Sequence, residues 1–202
     1  MTTSGATGML SALMDARATY FARRKALAWP VKLWLACGLA ILTGVSAQVV
    51  IPLPFTPVPI TGQVFAVLLA GIALGGRWGA ASQGIYVGAG TLGMPWFAGG
   101  TSGLPVWASG GYLIGFVAAA YVIGTLNERH ERMRTLAGQL VSMAMGIGVI
   151  YAFGAAQFAI VMHANAAQVW TGAIMPFIAV DAVKALAAAG VARVIQPRKL
   201  PS

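Results

Sequence analysis

Six long apolar runs, separated by short breaks, dominate this 202-residue sequence. A helix needs about 20 predominantly apolar residues to cross ~30 Å of hydrocarbon, and each run has roughly that length. The runs cover about 33–50, 60–76, 78–95, 110–126, 136–162 and 172–195. The division between the second and third runs, at Gly76-Arg77-Trp78, is the least well defined. The pattern predicts an all-α, polytopic membrane protein with six transmembrane helices.

The composition agrees with this interpretation, because 58% of the residues are hydrophobic and only 8% are charged, against roughly 25% charged in soluble domains. No polar segment is long enough to form a second domain. We therefore expect an N-terminal tail (1–32), one six-helix membrane domain (33–195) and a short basic C-terminus (196–202). Apolar residues at helical spacing in the tail suggest an amphipathic segment on the membrane surface. The alternative is a tail that only sets topology.

Apart from Lys184, the basic residues lie near the ends of alternate runs or in the breaks between them. Twelve of the 13 Lys and Arg residues fall on one side if six spans alternate, whereas the loops at about 51–59, 96–109 and 163–171 contain no charged residue. By the positive-inside rule, both termini are predicted to be cytoplasmic. No basic patch stands apart from the spans, which argues against a nucleic-acid partner.

One alternative concerns the start of the chain, where a basic cluster, a short apolar run and Val45-Ser46-Ala47 resemble a signal peptide. Cleavage there would leave five spans and place the basic C-terminus outside. That outcome would contradict the charge pattern.

Two uncharged loops are predicted on the side opposite the basic segments. The first, IPLPFTPVP (51–59), contains four prolines, which fix φ and lack a backbone N–H, so we expect a stiff extended segment that belongs to neither helix nor sheet. The second, residues 94–112, combines Trp96, Phe97 and Tyr112 with glycines, which permit close backbone approach. Together the loops indicate the walls and lid of a pocket for a small, mostly apolar molecule, although the first loop alone is equally consistent with a rigid connector.

The last apolar run carries two charges, Asp181 and Lys184. Three residues apart on a helix, they lie on one face and can pair. A charge in hydrocarbon costs at least ~2.5–3.5 kcal/mol, so such residues usually face the protein interior and mark a site. If the helix starts near Pro176, both lie in the external half, beneath the two loops. A structural ion pair between helices is the alternative.

No enzyme constellation is present in the sequence. The two histidines, His130 and His163, fall on opposite sides of the predicted membrane, which excludes a metal site shared between them. The Gly-rich stretches lack the Lys-Ser/Thr of a nucleotide-binding loop. We therefore expect neither catalysis nor a cofactor.

Four blocks carry a resemblance to a known family. They read IPLPFTPVPITGQVFAVLLAGIALGGRWGA, IYVGAGTLGMPWFAGG, SGGYLIGF and VDAVKA, in that order. This arrangement resembles the BioY family, the biotin-specific substrate-binding (S) components of energy-coupling-factor (ECF) vitamin transporters, over about 45–190. One departure is Ala108-Ser109 before the glycine pair, where the family commonly has Pro-Thr.

The resemblance implies high-affinity biotin binding and uptake across the bacterial cytoplasmic membrane. The implied partners are a transmembrane coupling (T) subunit and two ABC-type ATPases that consume ATP. A homo-oligomer is also possible. An S component for another vitamin and a stand-alone secondary biotin transporter are the alternatives. Ala36 and Ala40 match the family's small-residue motif that faces the coupling subunit, with internal packing as the competing interpretation.

The resemblance also suggests how biotin is held. Asp181 would accept hydrogen bonds from the ureido ring, and Lys184 would oppose the carboxylate or orient Asp181; the sequence does not separate these roles. Aromatic side chains would cover the apolar ring. The remaining candidates are polar residues in or near the spans and a glycine of the second loop. The full set is Thr61, Gln63, Tyr86, Trp96, Phe97, Gly111, Tyr112, Asp181 and Lys184.

Overall fold

The computed structural model describes residues 26–195, so the predicted amphipathic tail and basic C-terminus lie largely outside the described residues. The fold is mostly helical with one two-stranded hairpin. Its elements are α1 (Trp29–Ser46), β1 (Val50–Leu53), β2 (Thr56–Thr61), α2 (Gln63–Leu74), α3 (Gly76–Thr91), α4 (Gly110–Arg129), α5 (Leu136–Met162), α6 (Ala166–Val169), a π-helical turn (Trp170–Ile174) and α7 (Met175–Ile195).

The helices match the six predicted runs in order, with shifted ends. Within the described residues, four stretches are long and apolar enough to cross a membrane: Trp29–Ser46, Gly110–Arg129, Leu136–Met162 and the continuous helix Ala166–Val194. The helices α2 and α3 have only 12 and 16 residues. Ten of the 12 residues of α2 are buried, because neighbouring helices surround it.

The proline-rich stretch is a β-hairpin, so the prediction that it belongs to neither helix nor sheet is wrong. Strands β1 and β2 pair antiparallel, with Val50 opposite Thr61 and a register irregularity between Ile51 and Leu53, where Pro52 lies. A two-stranded ribbon has two free edges, and a strand tolerates proline where its missing N–H would face outward. We call the end of the bundle that carries this ribbon the hairpin end, and the opposite end the basic end.

The last helix begins earlier than predicted. The chain is helical from Ala166, and a π turn precedes Pro176, so Asp181 lies about midway along this helix and not in its first turns. Proline at position 176 cannot donate to the Gly172 carbonyl four residues earlier. That carbonyl accepts instead from the Thr56 hydroxyl of the hairpin, at 2.7 Å. The hairpin is thereby tied to the π turn.

Helix α4 lies at the centre of the bundle, packed against α2, α3 and α5. Its glycines allow close approach: a Cβ on Gly111 would lie 2.3 Å from the Phe153 carbonyl oxygen of α5. Helix α1 packs on α3 and α2, and Ala36 and Ala40 are fully buried in that contact. Both alanines therefore contribute to internal packing in the isolated chain, and their role toward the coupling subunit stays a prediction.

Candidate functional site

A cavity lies beneath the hairpin and the loop that joins α3 to α4 (92–109), which makes up most of the second loop. It encloses about 610 Å³, including the space in its open mouth. The apolar part of the wall includes Val58, Val64, Phe97, Trp107, Leu113, Phe116, Ile150 and Phe177. The polar part comprises Thr61, Gln63, Thr101, Ser109, Tyr112, Tyr151, Asp181 and Lys184. A mostly apolar chamber that also carries polar and charged groups suits a small molecule that has distinct apolar and polar parts.

The polar centre of the cavity is a buried ion pair on α7. The Lys184 Nζ lies 2.7 Å from the Asp181 Oδ1, and the side chains are 15% and 4% exposed, respectively. The Tyr151 hydroxyl on α5 donates to the other carboxylate oxygen at 2.8 Å. An ammonium has three donors, and the carboxylate takes one of them. Lys184 therefore retains donor capacity toward an anionic group in the cavity.

Gln63, the first residue of α2, is held by a chain of hydrogen bonds. The Thr61 hydroxyl donates to the Gln63 Oε1 at 2.7 Å, and the Gln63 Nε2 donates to the Tyr86 hydroxyl at 2.6 Å. The Tyr86 hydroxyl donates in turn to the Trp96 carbonyl at 3.2 Å, and the Trp96 indole returns a bond to the Tyr86 carbonyl at 2.9 Å. The network fixes the second loop against α3 and sets the orientation of the Gln63 amide in the cavity wall.

Aromatic side chains form the remaining wall. Phe97 and Trp107 meet edge to face with ring centroids 6.1 Å apart. Tyr112 and Phe177 pack similarly, also at 6.1 Å, and the Tyr112 hydroxyl donates to the Ala173 carbonyl in the π turn. These contacts link the second loop, α4 and α7 around the cavity.

The structure distributes the predicted site residues over two layers. Six of them line the cavity: Thr61, Gln63, Phe97, Tyr112, Asp181 and Lys184. Tyr86 and Trp96 lie behind the wall and position Gln63 and the loop. Gly111 does not line the cavity but permits the contact between α4 and α5.

The sequence did not single out several lining residues, of which Tyr151 is the most informative. An isolated tyrosine hydroxyl in an apolar run is typical of an ordinary hydrogen bond between helices, so the sequence alone does not mark Tyr151 as a site residue. Its acceptor, Asp181, is 30 residues away, and no spacing pattern pairs α5 with α7. Trp107 and Ser109 are also absent from the predicted set, because a loop sequence does not reveal which side chains point inward.

Comparisons with known proteins agree with this architecture. The chain is similar to the biotin transporter BioY of Rhizobium etli, with 37% identity over 77% of this chain and 87% of that protein. It is also similar to the biotin transporter BioY of Thermotoga maritima, with 38% identity over 70% and 83%. A crystal structure of the S-component for biotin from an ECF-type ABC transporter shares the fold, with a TM-score of 0.76 and 22% identity over 83% of this chain and 93% of that chain. The BioY family model matches residues 18–200, and the chain therefore belongs to the BioY family.

Proposed function

We propose that this protein binds biotin with high affinity in the central cavity and mediates its uptake across the bacterial cytoplasmic membrane, as the S component of an ECF transporter. The relatives named as biotin transporters support the substrate, and the structural neighbour supports the role as an S component. The protein does no chemistry on the vitamin. ATP is consumed by two ABC-type ATPases, to which a transmembrane T subunit couples the chain.

The observation that carries this proposal is the buried pair of Asp181 and Lys184 in the wall of an otherwise largely apolar cavity. Biotin has a ureido ring with N–H donors, an apolar bicyclic body and valeryl chain, and a carboxylate. A carboxylate acceptor, aromatic walls and an ammonium donor match these three parts. The Gln63 amide adds both a donor and an acceptor to the same wall.

The proposed membrane placement has six helices crossing and both termini in the cytoplasm. It rests on the charge pattern: Arg77, Arg129 and Arg132 lie at the basic end, whereas the loops at the hairpin end carry no charge. The short helix α2 fits this placement as a span that is shielded by its neighbours, with ten of its 12 residues buried. Helix α3 is shielded less, with six of its 16 residues buried. Biotin then enters from the external side, through the hairpin end.

Thermal unfolding of the detergent-solubilised protein tests the substrate. We expect biotin to raise the melting temperature, and riboflavin and thiamine to leave it unchanged, because only a ligand that binds the folded state stabilises it. Biotin methyl ester, which lacks the carboxylate charge, should give a smaller shift than biotin. Equal shifts with the three vitamins, or none with biotin, would contradict the proposal.

The role of Ala36 and Ala40 toward the T subunit is tested separately. Replacing Ala36 and Ala40 with leucine overpacks the contact of α1 and should destabilise the isolated chain by about 1–3 kcal/mol. Gly38 is the matched control, since a Cβ there meets nothing within 4 Å. Variants that remain as stable as wild type yet fail to co-purify with the T subunit would indicate that the two alanines contact that subunit.

A further inference from the structure

A second cavity lies at the basic end, between the start of α1, the junction of α2 with α3, and the end of α4. It encloses about 940 Å³ including its open mouth, and it shares no lining residue with the central cavity. Its walls are Lys32, Leu74, Arg77, Trp78, Tyr121, Thr125, Glu128 and Arg129. Three basic side chains from three different helices therefore border one space.

The balance of charge in this cavity is positive. Among the lining residues that the structure describes, Lys32, Arg77 and Arg129 are accompanied by one carboxylate, Glu128, so these described side chains sum to a net charge of +2. The Glu128 Oε2 accepts from the Gly76 amide at 3.4 Å, so this carboxylate already serves the start of α3. In the described part of the chain, the guanidinium groups of Arg77 and Arg129 form no hydrogen bond or ion pair. Their donors are available to an anion.

Two aromatic side chains indicate the depth of this cavity in the bilayer. Trp78 and Tyr121 line it, and Tyr121 is 47% exposed. Amphipathic aromatic rings collect where hydrocarbon meets the headgroups. The cationic walls thus lie at the level of the lipid phosphates, given the proposed membrane placement.

We propose that this cavity binds the phosphate of an anionic phospholipid. A guanidinium fork matches the geometry of phosphate oxygens, and basic pockets between transmembrane helices suit anionic headgroups. Arg77 and Arg129 hold the phosphate from two sides, while the rings of Trp78 and Tyr121 border the start of the acyl chains. The inference goes beyond biotin binding and depends only on the membrane placement.

The test is a titration of the purified protein with phosphatidylglycerol or phosphatidylcholine, followed by native mass spectrometry. We expect tighter retention of the anionic lipid. The double variant Arg77→Gln/Arg129→Gln should weaken that retention about 30-fold, taking roughly fivefold per cation near the surface. Arg132→Gln is the matched control, since Arg132 is exposed at the same end and does not line the cavity.

Three results would overturn the proposal: equal retention of the two lipids by wild type, unchanged retention by the double variant, or an equal loss in the control. Glycerol 1-phosphate distinguishes the source of the phosphate. If this soluble headgroup displaces the lipid at comparable concentration, the site binds free phosphate esters and the lipid assignment fails. Biotin affinity should stay unchanged in all these variants, which separates this test from that of the proposed function.

Discussion

The ion pair of α7 offers the sharpest test of how charge, stability and ligand binding are connected. Both oxygens of Asp181 have donors, one from Lys184 and one from Tyr151. Replacing Lys184 with methionine would leave a carboxylate that is 4% exposed with the tyrosine hydroxyl as its remaining donor. Removing one partner of a buried pair costs roughly 3–5 kcal/mol.

The reciprocal variant, Asp181→Asn, should be milder. The stranded charge is then the ammonium of Lys184, which is 15% exposed and borders the open cavity, so water can solvate it. The asparagine retains an oxygen to accept from Tyr151. We therefore expect a smaller fall in melting temperature for Asp181→Asn than for Lys184→Met.

Biotin affinity should respond differently from stability. Each single variant removes a charge-assisted contact worth on the order of 1.5–3 kcal/mol, which corresponds to about ten- to a hundredfold in Kd. The double variant Asp181→Asn/Lys184→Met removes both charges and should recover much of the lost stability. It should not recover binding.

Thermal unfolding and isothermal titration with biotin measure the two quantities on the same samples. A double variant that is stable and binds biotin as tightly as wild type would refute the ligand role of the pair. A Lys184→Met variant that unfolds no earlier than wild type would refute the electrostatic argument itself.

Three further substitutions address the groups around the pair. Tyr151→Phe removes the hydroxyl that donates to the buried carboxylate, so it should lower stability by about 1.5–3 kcal/mol and weaken biotin binding. Tyr121→Phe changes an exposed tyrosine as the matched control and should leave biotin titrations unchanged. Gly111→Ala places a methyl group against a carbonyl oxygen of α5 and should lower the free energy of unfolding by about 1–3 kcal/mol. Gly148→Ala is the control, because a Cβ there meets open space, and it should be neutral or slightly stabilising in thermal unfolding. Thr56→Val removes the hydroxyl that donates to the Gly172 carbonyl, at a cost of about 0.5–1.5 kcal/mol, and the hairpin amides should exchange hydrogen faster. Unchanged exchange would mean that this hydrogen bond does not hold the hairpin in place.

Sequence reasoning succeeded where the determining interactions are local. Apolar length indicated the helical runs, and the spacing of Asp181 and Lys184 placed both on one face, where they form a 2.7 Å pair. The same reasoning misplaced the start of the last helix. A proline is favourable in the first turn of a helix, so Pro176 indicated a start there. A proline further along a helix is tolerated when another group donates to the carbonyl four residues earlier. That group is the hydroxyl of Thr56, 116 residues earlier in the chain.

The candidate site shows the same division. Gln63, Tyr86 and Trp96 are separate members of the predicted set, and the structure connects all three by hydrogen bonds. Only Gln63 reaches the cavity. Which member of such a network faces the ligand depends on how α2 and α3 rotate against each other, and that rotation is set by packing between helices.

The prolines of the hairpin also protect the protein from its own copies. An exposed two-stranded ribbon offers unpaired edges, and such edges template pairing with strands of other chains. Pro57 and Pro59 stand two residues apart, so their ring nitrogens face the same edge of β2. That edge has no N–H to donate at these positions, and Pro52 interrupts the other strand at its register irregularity. A crowded membrane surface can therefore carry many copies of this ribbon without their edges joining into an intermolecular sheet.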